Sequence, residues 1–177
     1  MKTRHKKFRV PYLSLFVTFT LSLTAMAFWQ PWRKSKVLPQ SSPRTYAALQ
    51  TLRVANIVDG TTMKVFVPAA SAAERTTTDV VRLYGVEPVT GKTVFGRDYL
   101  ESLCTPGTDV RFESLGRDKN GALVGIVVLP DGREANFELL KAGALKARFA
   151  EDDGSGVRTD YERAQDSARA RRVGVWK

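Results

Sequence analysis

Apolar and polar positions along residues 52–177 change period several times, and the changes mark out five strands and three helices. The runs LRVANIVD (52–59) and TTMKVFVP (61–68) are β-rich and meet at Asp59-Gly60, a strong hairpin signal. The small, polar run AASAAERTTT (69–78) predicts a loop, and DVVRLYGV (79–86) a third strand. The period then becomes helical. VFGRDYLESLC (94–104) sets Phe95, Tyr99, Leu100 and Leu103 on one face before Pro106-Gly107 stops the helix. TDVRFESLG and GALVGIVVLP predict strands four and five around the polar turn Arg117–Asn120, and Pro130-Asp131-Gly132 turns the chain again. EANFELLKAG (134–143) predicts a short helix closed by Gly143. Thr159-Asp160-Tyr161-Glu162 reads as a capping box that opens a last helix ending near Gly174. The basic end of that helix, Arg169, Arg171 and Arg172, suits its negative dipole end.

The order β-β-β-α-β-β-α-α predicts an α+β domain. Five short strands with a helix after the third suit a small closed barrel of the OB-fold type, with three helices. Such a scaffold does not settle function.

A different pattern precedes the domain. Residues 10–29, VPYLSLFVTFTLSLTAMAFW, carry no charge, and about 20 apolar residues suffice to cross a bilayer as a helix. Residues 1–9 form a basic flank, with Lys2, Arg4, Lys6, Lys7 and Arg9 before the span; Arg33, Lys34 and Lys36 follow it. That asymmetry predicts a cytoplasmic N-terminus and a folded domain on the opposite, extracytoplasmic side of a single-pass membrane anchor. Trp29 and Trp32 lie where interfacial aromatics belong. Ala25-Met26-Ala27 also fits a signal-cleavage pattern, which would make the domain secreted, and an acid-free basic N-terminus fits an organellar targeting segment too. Residues 30–51 mix Pro, Ser and charge without a period, so they read as a linker, and the folded domain spans 52–177.

Charge must be divided the same way. The 177-residue chain has a formal charge of +10, from 28 Lys and Arg against 18 Asp and Glu. Eight of those bases and none of the acids lie in residues 1–36, leaving 20 against 18 in the rest. The basicity therefore belongs to the N-terminal segment and does not by itself make the domain a nucleic-acid binder. The single Cys, Cys104, excludes an internal disulfide and a Cys-cluster metal site; it ends an apolar helical pattern and predicts a buried, inert thiol. The only His, His5, lies in the basic flank, so the domain has no imidazole for a catalytic triad or a His-ligated zinc.

The runs VDGTTMKV, VRLYGVEP, GRDYLESL, GRDKNGALVGIVVLPDGREANFELLKAGAL and DYERAQDSARARRVGVW, in that order and spacing, resemble the staphylococcal-nuclease (thermonuclease) family over about residues 52–177. That family is known for calcium-dependent phosphodiesterases acting on DNA and RNA, and it also contains many non-catalytic domains. The chemistry needs hard carboxylate ligands for calcium and a carboxylate base for the attacking water. It also needs two guanidiniums to clamp the phosphate.

Set on that pattern, the chain keeps little of the charge. The family turn Asp-Gly-Asp-Thr is here Asp59-Gly60-Thr61-Thr62, so Thr61 replaces a calcium ligand. Arg82 matches the first phosphate-binding Arg. The family's Asp-x-Pro-Glu is here Glu87-Pro88-Val89-Thr90, which leaves Glu87 as a longer carboxylate and puts Thr90, or Val89, at the general base. Ala122 in DKNGAL stands where the second Arg belongs. The resemblance thus implies vestigial Arg82 and Glu87, lost functional groups at Thr61, Thr90 and Ala122, and a hairpin role for Asp59.

Arg82 reads structurally as a strand residue paired with Glu87 or Asp59, and Glu87 as a salt-bridge partner before a ligand. The acidic run EDDGSG (151–156) lacks the alternating oxygens of a calcium loop and reads as a solvated turn. Phe149 sits where the family often stacks an aromatic on a base; with Tyr84, Lys119 and Arg82 it would make a modest stacking and phosphate surface. Phe149 and Tyr84 also read as core or rim hydrophobes.

The sequence therefore predicts a membrane-tethered, nuclease-like domain with a degenerate active site, serving as a binding or interaction module. It predicts no small-molecule cofactor and no metal, with calcium only if the site is active. A protein partner and a weak nucleic-acid contact both remain open as ligands. The alternative is an active metal-dependent phosphodiesterase in which Asp59 and Glu87 hold a cation.

Overall fold

The computed structural model describes residues 45–67 and 77–177. The predicted basic flank and anchor, most of the linker, and residues 68–76, which hold most of the loop expected over 69–78, lie outside the described residues; Thr77 and Thr78, expected in that loop, open β3 instead. The elements are β1 (Gln50–Ile57), β2 (Thr62–Val67), β3 (Thr77–Leu83), β4 (Val86–Glu87), α1 (Thr93–Leu103), β5 (Asp109–Arg117), β6 (Leu123–Val128), α2 (Ala135–Lys141), β7 (Lys146–Ala147) and α3 (Arg158–Ala170). A short 3-10 turn, Gly174–Trp176, follows.

β1, β2, β3, β6 and β5 close into a five-stranded barrel in that order. Period-two alternation is what closes it. Leu52, Val54, Met63, Val65, Val81, Leu83, Val110 and Phe112 point inward and are buried, while Arg53, Lys64, Phe66 and Arg111 between them point outward and are exposed. The alternation slips inside LRVANIVD because β1 bulges between Val54 and Asn56, which brings Ile57 back to the core. All barrel pairs are antiparallel except β3 with β6. A parallel pair needs a long crossover, and α1 with β5 supplies it.

α2 and α3 pack together beside the barrel, and Phe137, Leu139, Leu140, Tyr161 and Ala164 join the same core. Buried Asn136 ties α2 to the sheet: its Nδ2 donates to the carbonyls of Tyr84 (2.9 Å) and Gly125 (3.2 Å), and its Oδ1 accepts from Val127 N–H at 3.1 Å. A two-stranded ladder of β4 and β7, absent from the sequence expectation, pairs Val86 with Ala147 and Glu87 with Lys146.

Three local expectations are corrected. The buried face of α1 carries Gly96 and Leu100, while Phe95 is 41 % exposed beside Tyr99. Gly96 lies against Gly60 of the β1–β2 turn and against Ala144 and Leu145 after α2, which turns the inner face of the helix one residue away from Phe95. The capping box does not form. Buried Val157 sets the start of α3, no side chain caps it, and Thr159 falls inside the first turn, where Arg158 pairs with Glu162 at 3.2 Å. α3 also ends at Ala170, before Gly174, and the chain turns at Arg172 with φ +50°. Cys104 is buried as expected, and burial pushes its thiol up to about 11.

Candidate functional site

The β1–β2 turn folds around Asp59. Its Oδ1 accepts the Thr61 N–H at 2.7 Å and the Thr61 hydroxyl at 2.9 Å. Thr61 is 4 % exposed, so its amide depends on the Asp59 carboxylate, and its hydroxyl has that carboxylate and the more distant Thr62 hydroxyl, at 3.4 Å, as partners. Gly60 has no positive φ. It is glycine because a Cβ there would come within 2.9 Å of the Gly96 backbone in α1. The turn is therefore fixed by a carboxylate on one side and a helix on the other, and Thr61 presents no free oxygen charge to a cation.

The second turn, Arg117 to Ala122, lies across an open cleft of about 330 Å³ lined by Thr62, Asp79, Val80, Arg82, Asn120 and Ala122, among others. Asp118 organises it. Oδ1 accepts the N–H groups of Asn120 (2.8 Å) and Ala122 (3.0 Å). Oδ2 faces the Arg82 guanidinium at 3.4 Å. The Asn120 and Ala122 amides and Arg82 hold the Asp118 carboxyl below its usual range. Arg82 thus pairs with Asp118, not with Glu87 or Asp59. Register explains why: Arg82 stands opposite Thr62 on β2 and Val124 on β6, which directs it outward to the β5–β6 turn. A second pair, Arg117 with Asp79 at 2.9 Å, borders the same cleft. Ala122 contributes a methyl, and Lys119 is exposed at the tip of the turn.

Glu87 is held elsewhere. β4 pairs with β7, and the Glu87 carboxylate meets Lys146 Nζ and the Arg148 guanidinium, each at 2.7 Å. Those hydrogen bonds, Lys146 first, hold its carboxyl below the usual carboxylate range. Val89 and Thr90 lie in the turn that leads into α1, closed by Lys92 N–H on the Val89 carbonyl at 3.0 Å. Thr90 is exposed and Val89 half-buried, and neither adds charge.

The two aromatics turn inward. Phe149 packs on Tyr84 and Tyr161 with ring centroids 5.9 Å away in each case, and Arg158 lies 5.7 Å over its ring. Gly85, at φ +72°, makes room for it: a Cβ there would meet the Phe149 ring at 2.7 Å. Burial pushes the Tyr84 hydroxyl up, and it donates to Asp153, whose carboxylate also accepts the Ser155 hydroxyl. EDDGSG is accordingly a turn tied to the rim. Among the described residues no three His, Cys, Asp or Glu side chains gather to hold a metal ion.

The structure thus brings Arg82 and Ala122 to one cleft and leaves Glu87, Tyr84 and Phe149 outside its lining. Sequence reasoning missed Asp118 as the partner of Arg82, and Lys146 and Arg148 as the partners of Glu87. The Asp in DKNG was a visible turn signal, but its cross-strand partner was not. The period-two spacing of Lys146 and Arg148 was a signal for a short strand.

A family model described as staphylococcal nuclease homologue matches residues 88–177. That span contains Thr90, Asp118, Lys119, Ala122 and Phe149 and begins just after Glu87. A comparison with curated proteins finds no match.

Proposed function

The chain belongs to the staphylococcal nuclease homologue family, and on that premise we propose that it is a membrane-tethered, catalytically degenerate nuclease-like domain that works as a binding module. The observation that carries the reading is the double ion pair of Glu87. The one carboxylate that the resemblance leaves for a cation already accepts from Lys146 and Arg148. A calcium ion there would have to displace two cations and would find no second carboxylate at Thr61. Arg82 likewise faces the Asp118 carboxylate, so an incoming phosphate competes with an internal anion. With no acid at Thr90 or Val89, water lacks a base, which alone costs about 10²–10⁴-fold in rate. Tethering rests on the uncharged run 10–29 and its flanking bases.

The test uses the full chain in detergent. Calorimetry with Ca²⁺, and cleavage of single-stranded DNA and RNA with Ca²⁺, Mg²⁺ or Mn²⁺, should give neither binding heat nor product. Metal-dependent cleavage that disappears in Glu87→Gln would instead establish the active phosphodiesterase. Extraction of membranes with alkaline carbonate checks the tether. Intact chain in the soluble fraction would rule out the anchor, and a shortened chain starting near Phe28 would point to signal cleavage.

A further inference from the structure

The β1–β2 turn and the first turn of α1 meet where Gly60 lies against Gly96, and apolar residues beside both glycines stay outside the core. Among the described residues six large apolar side chains are exposed, and Val58, Val94 and Phe95 are three of them. Val94, at 69 %, is the most exposed of the six. The Phe95 ring lies 6.3 Å from that of Tyr99, so aliphatic and aromatic surface run together on α1. The chain enters the domain on the same side. Tyr46 packs on the edge of the core and donates to Glu134 at 3.0 Å, and the Ala47 N–H donates to Glu113 at 2.9 Å. Glu134 opens α2, which packs against α1. Burial, and then Glu138 one turn along α2, push the Tyr99 hydroxyl up. Residues 30–44, which separate the uncharged run from the first described residue, extend by at most ~50 Å.

Resting on the tether proposed above, we propose that Val58, Val94 and Phe95 form a lipid-contact face, which lays the domain against the bilayer that anchors it. An exposed apolar patch rimmed by polar residues is the kind of surface that enters a membrane boundary. The three apolar side chains reach below the headgroups. Half-buried Tyr99 and exposed Arg97 have apolar bodies and polar tips, which suit the headgroup layer. Asp98 and Glu101, exposed further along α1, stop deeper insertion and give anionic lipid no advantage. So small a patch holds lipid weakly on its own. A short linker offsets this by keeping the face at about millimolar effective concentration beside the bilayer.

The experiment reconstitutes the full chain in phosphatidylcholine vesicles, floats them, and reads a nitrobenzoxadiazole dye attached to Val94→Cys. Cys104 is buried with its thiol pushed up to about 11, so it does not compete for the label. The reference is the same dye on Asp166→Cys, at an exposed position of α3. The dye at 94 should emit to the blue of the dye at 166, and spin-labelled lipid should quench it several-fold more. Phe95→Asp, with an unchanged melting temperature, should return the dye at 94 to the emission of the dye at 166, while Phe95→Leu should not. A floated chain whose two dyes emit and quench alike overturns the lipid contact and leaves the tether standing. Blue emission that vanishes when the chains are diluted apart in excess lipid means that a second copy covers the face, and overturns the lipid contact too. A chain that does not float with the vesicles overturns the tether, and the lipid contact with it.

Discussion

Asp59 and Asp118 both fold a carboxylate back onto the backbone amides that follow, in turns that end at a glycine-containing hairpin. Their surroundings differ. The Asp59 turn is closed in: among the described residues its carboxylate accepts side-chain and backbone hydrogen bonds from Thr61 alone, and Gly60 lies against Gly96 of the first helix. The Asp118 turn is open: its second oxygen reaches across the cleft to Arg82, and a Cβ at Gly121 would meet nothing. The first turn is part of the packing and the second part of the surface. Substitutions in the first should therefore read out as stability. Those in the second should read out as charge.

The largest effect is expected from Thr61→Asp. It puts a second carboxylate in a position that is 4 % exposed, beside that of Asp59. An uncompensated buried charge costs about 3 kcal/mol, and thermal unfolding in EDTA should show it. Calcium should not restore the loss, because Lys146 and Arg148 hold Glu87. Recovery of the melting temperature on adding Ca²⁺ would mean that the first turn is still a cation site lacking only its charge.

Gly60→Ala comes next. The added methyl meets the Gly96 backbone rather than a side chain that can rotate away, so the helix must shift. Overpacking of this kind costs about 2 kcal/mol. Gly121→Ala, at φ +84° in open space, should cost about 1 kcal/mol from backbone strain alone. Equal losses at the two glycines would erase the distinction between a packed and an open turn.

This contrast marks how far the sequence could be read. The barrel strands were legible because inward and outward residues alternate, as in Met63-Lys64-Val65-Phe66. The bulge in β1 was not, since one extra residue leaves composition unchanged. The buried face of α1 was misplaced because a glycine, Gly96, makes its central contact, and hydrophobic periodicity assigns no weight to a glycine. At the cleft, each residue could be set against the resemblance one by one. What pairs with Arg82 and Glu87 could not be foreseen, because Arg82 meets Asp118 across 36 residues and Glu87 meets Arg148 across 61. Such pairings follow from strand register, which exists only once the barrel closes around β3 and the separate β4–β7 ladder forms.

Asp59→Ala is expected to cost less than either first-turn change that adds atoms. It leaves the Thr61 amide without its acceptor and the hydroxyl with only the longer contact to Thr62, in a nearly closed position, a loss of about 1–2 kcal/mol. Asp59→Asn keeps the acceptor oxygen and should recover most of it in denaturant unfolding. An Asn variant as unstable as the Ala variant would show that the charge, rather than the hydrogen bonds, matters at this turn.

The smallest change in stability should come from Asp118→Asn, which keeps an oxygen for the Asn120 and Ala122 amides and removes the negative charge facing Arg82. The folded-state carboxyl of Asp118 titrates below its ordinary value, so the charged form stabilises the fold above the unfolded pKa. That contribution is lost as the pH falls through the folded value. The difference between wild type and Asp118→Asn should then be present at neutral pH and fade below the ordinary carboxylate range, near pH 3.9. Thermal unfolding at neutral and acid pH checks this sign. The same substitution frees Arg82 in a cleft of about 330 Å³, so inorganic phosphate should protect the variant against unfolding more than it protects wild type. Equal protection would mean that Asp118 does not compete for the guanidinium, and the second turn would then be as purely structural as the first.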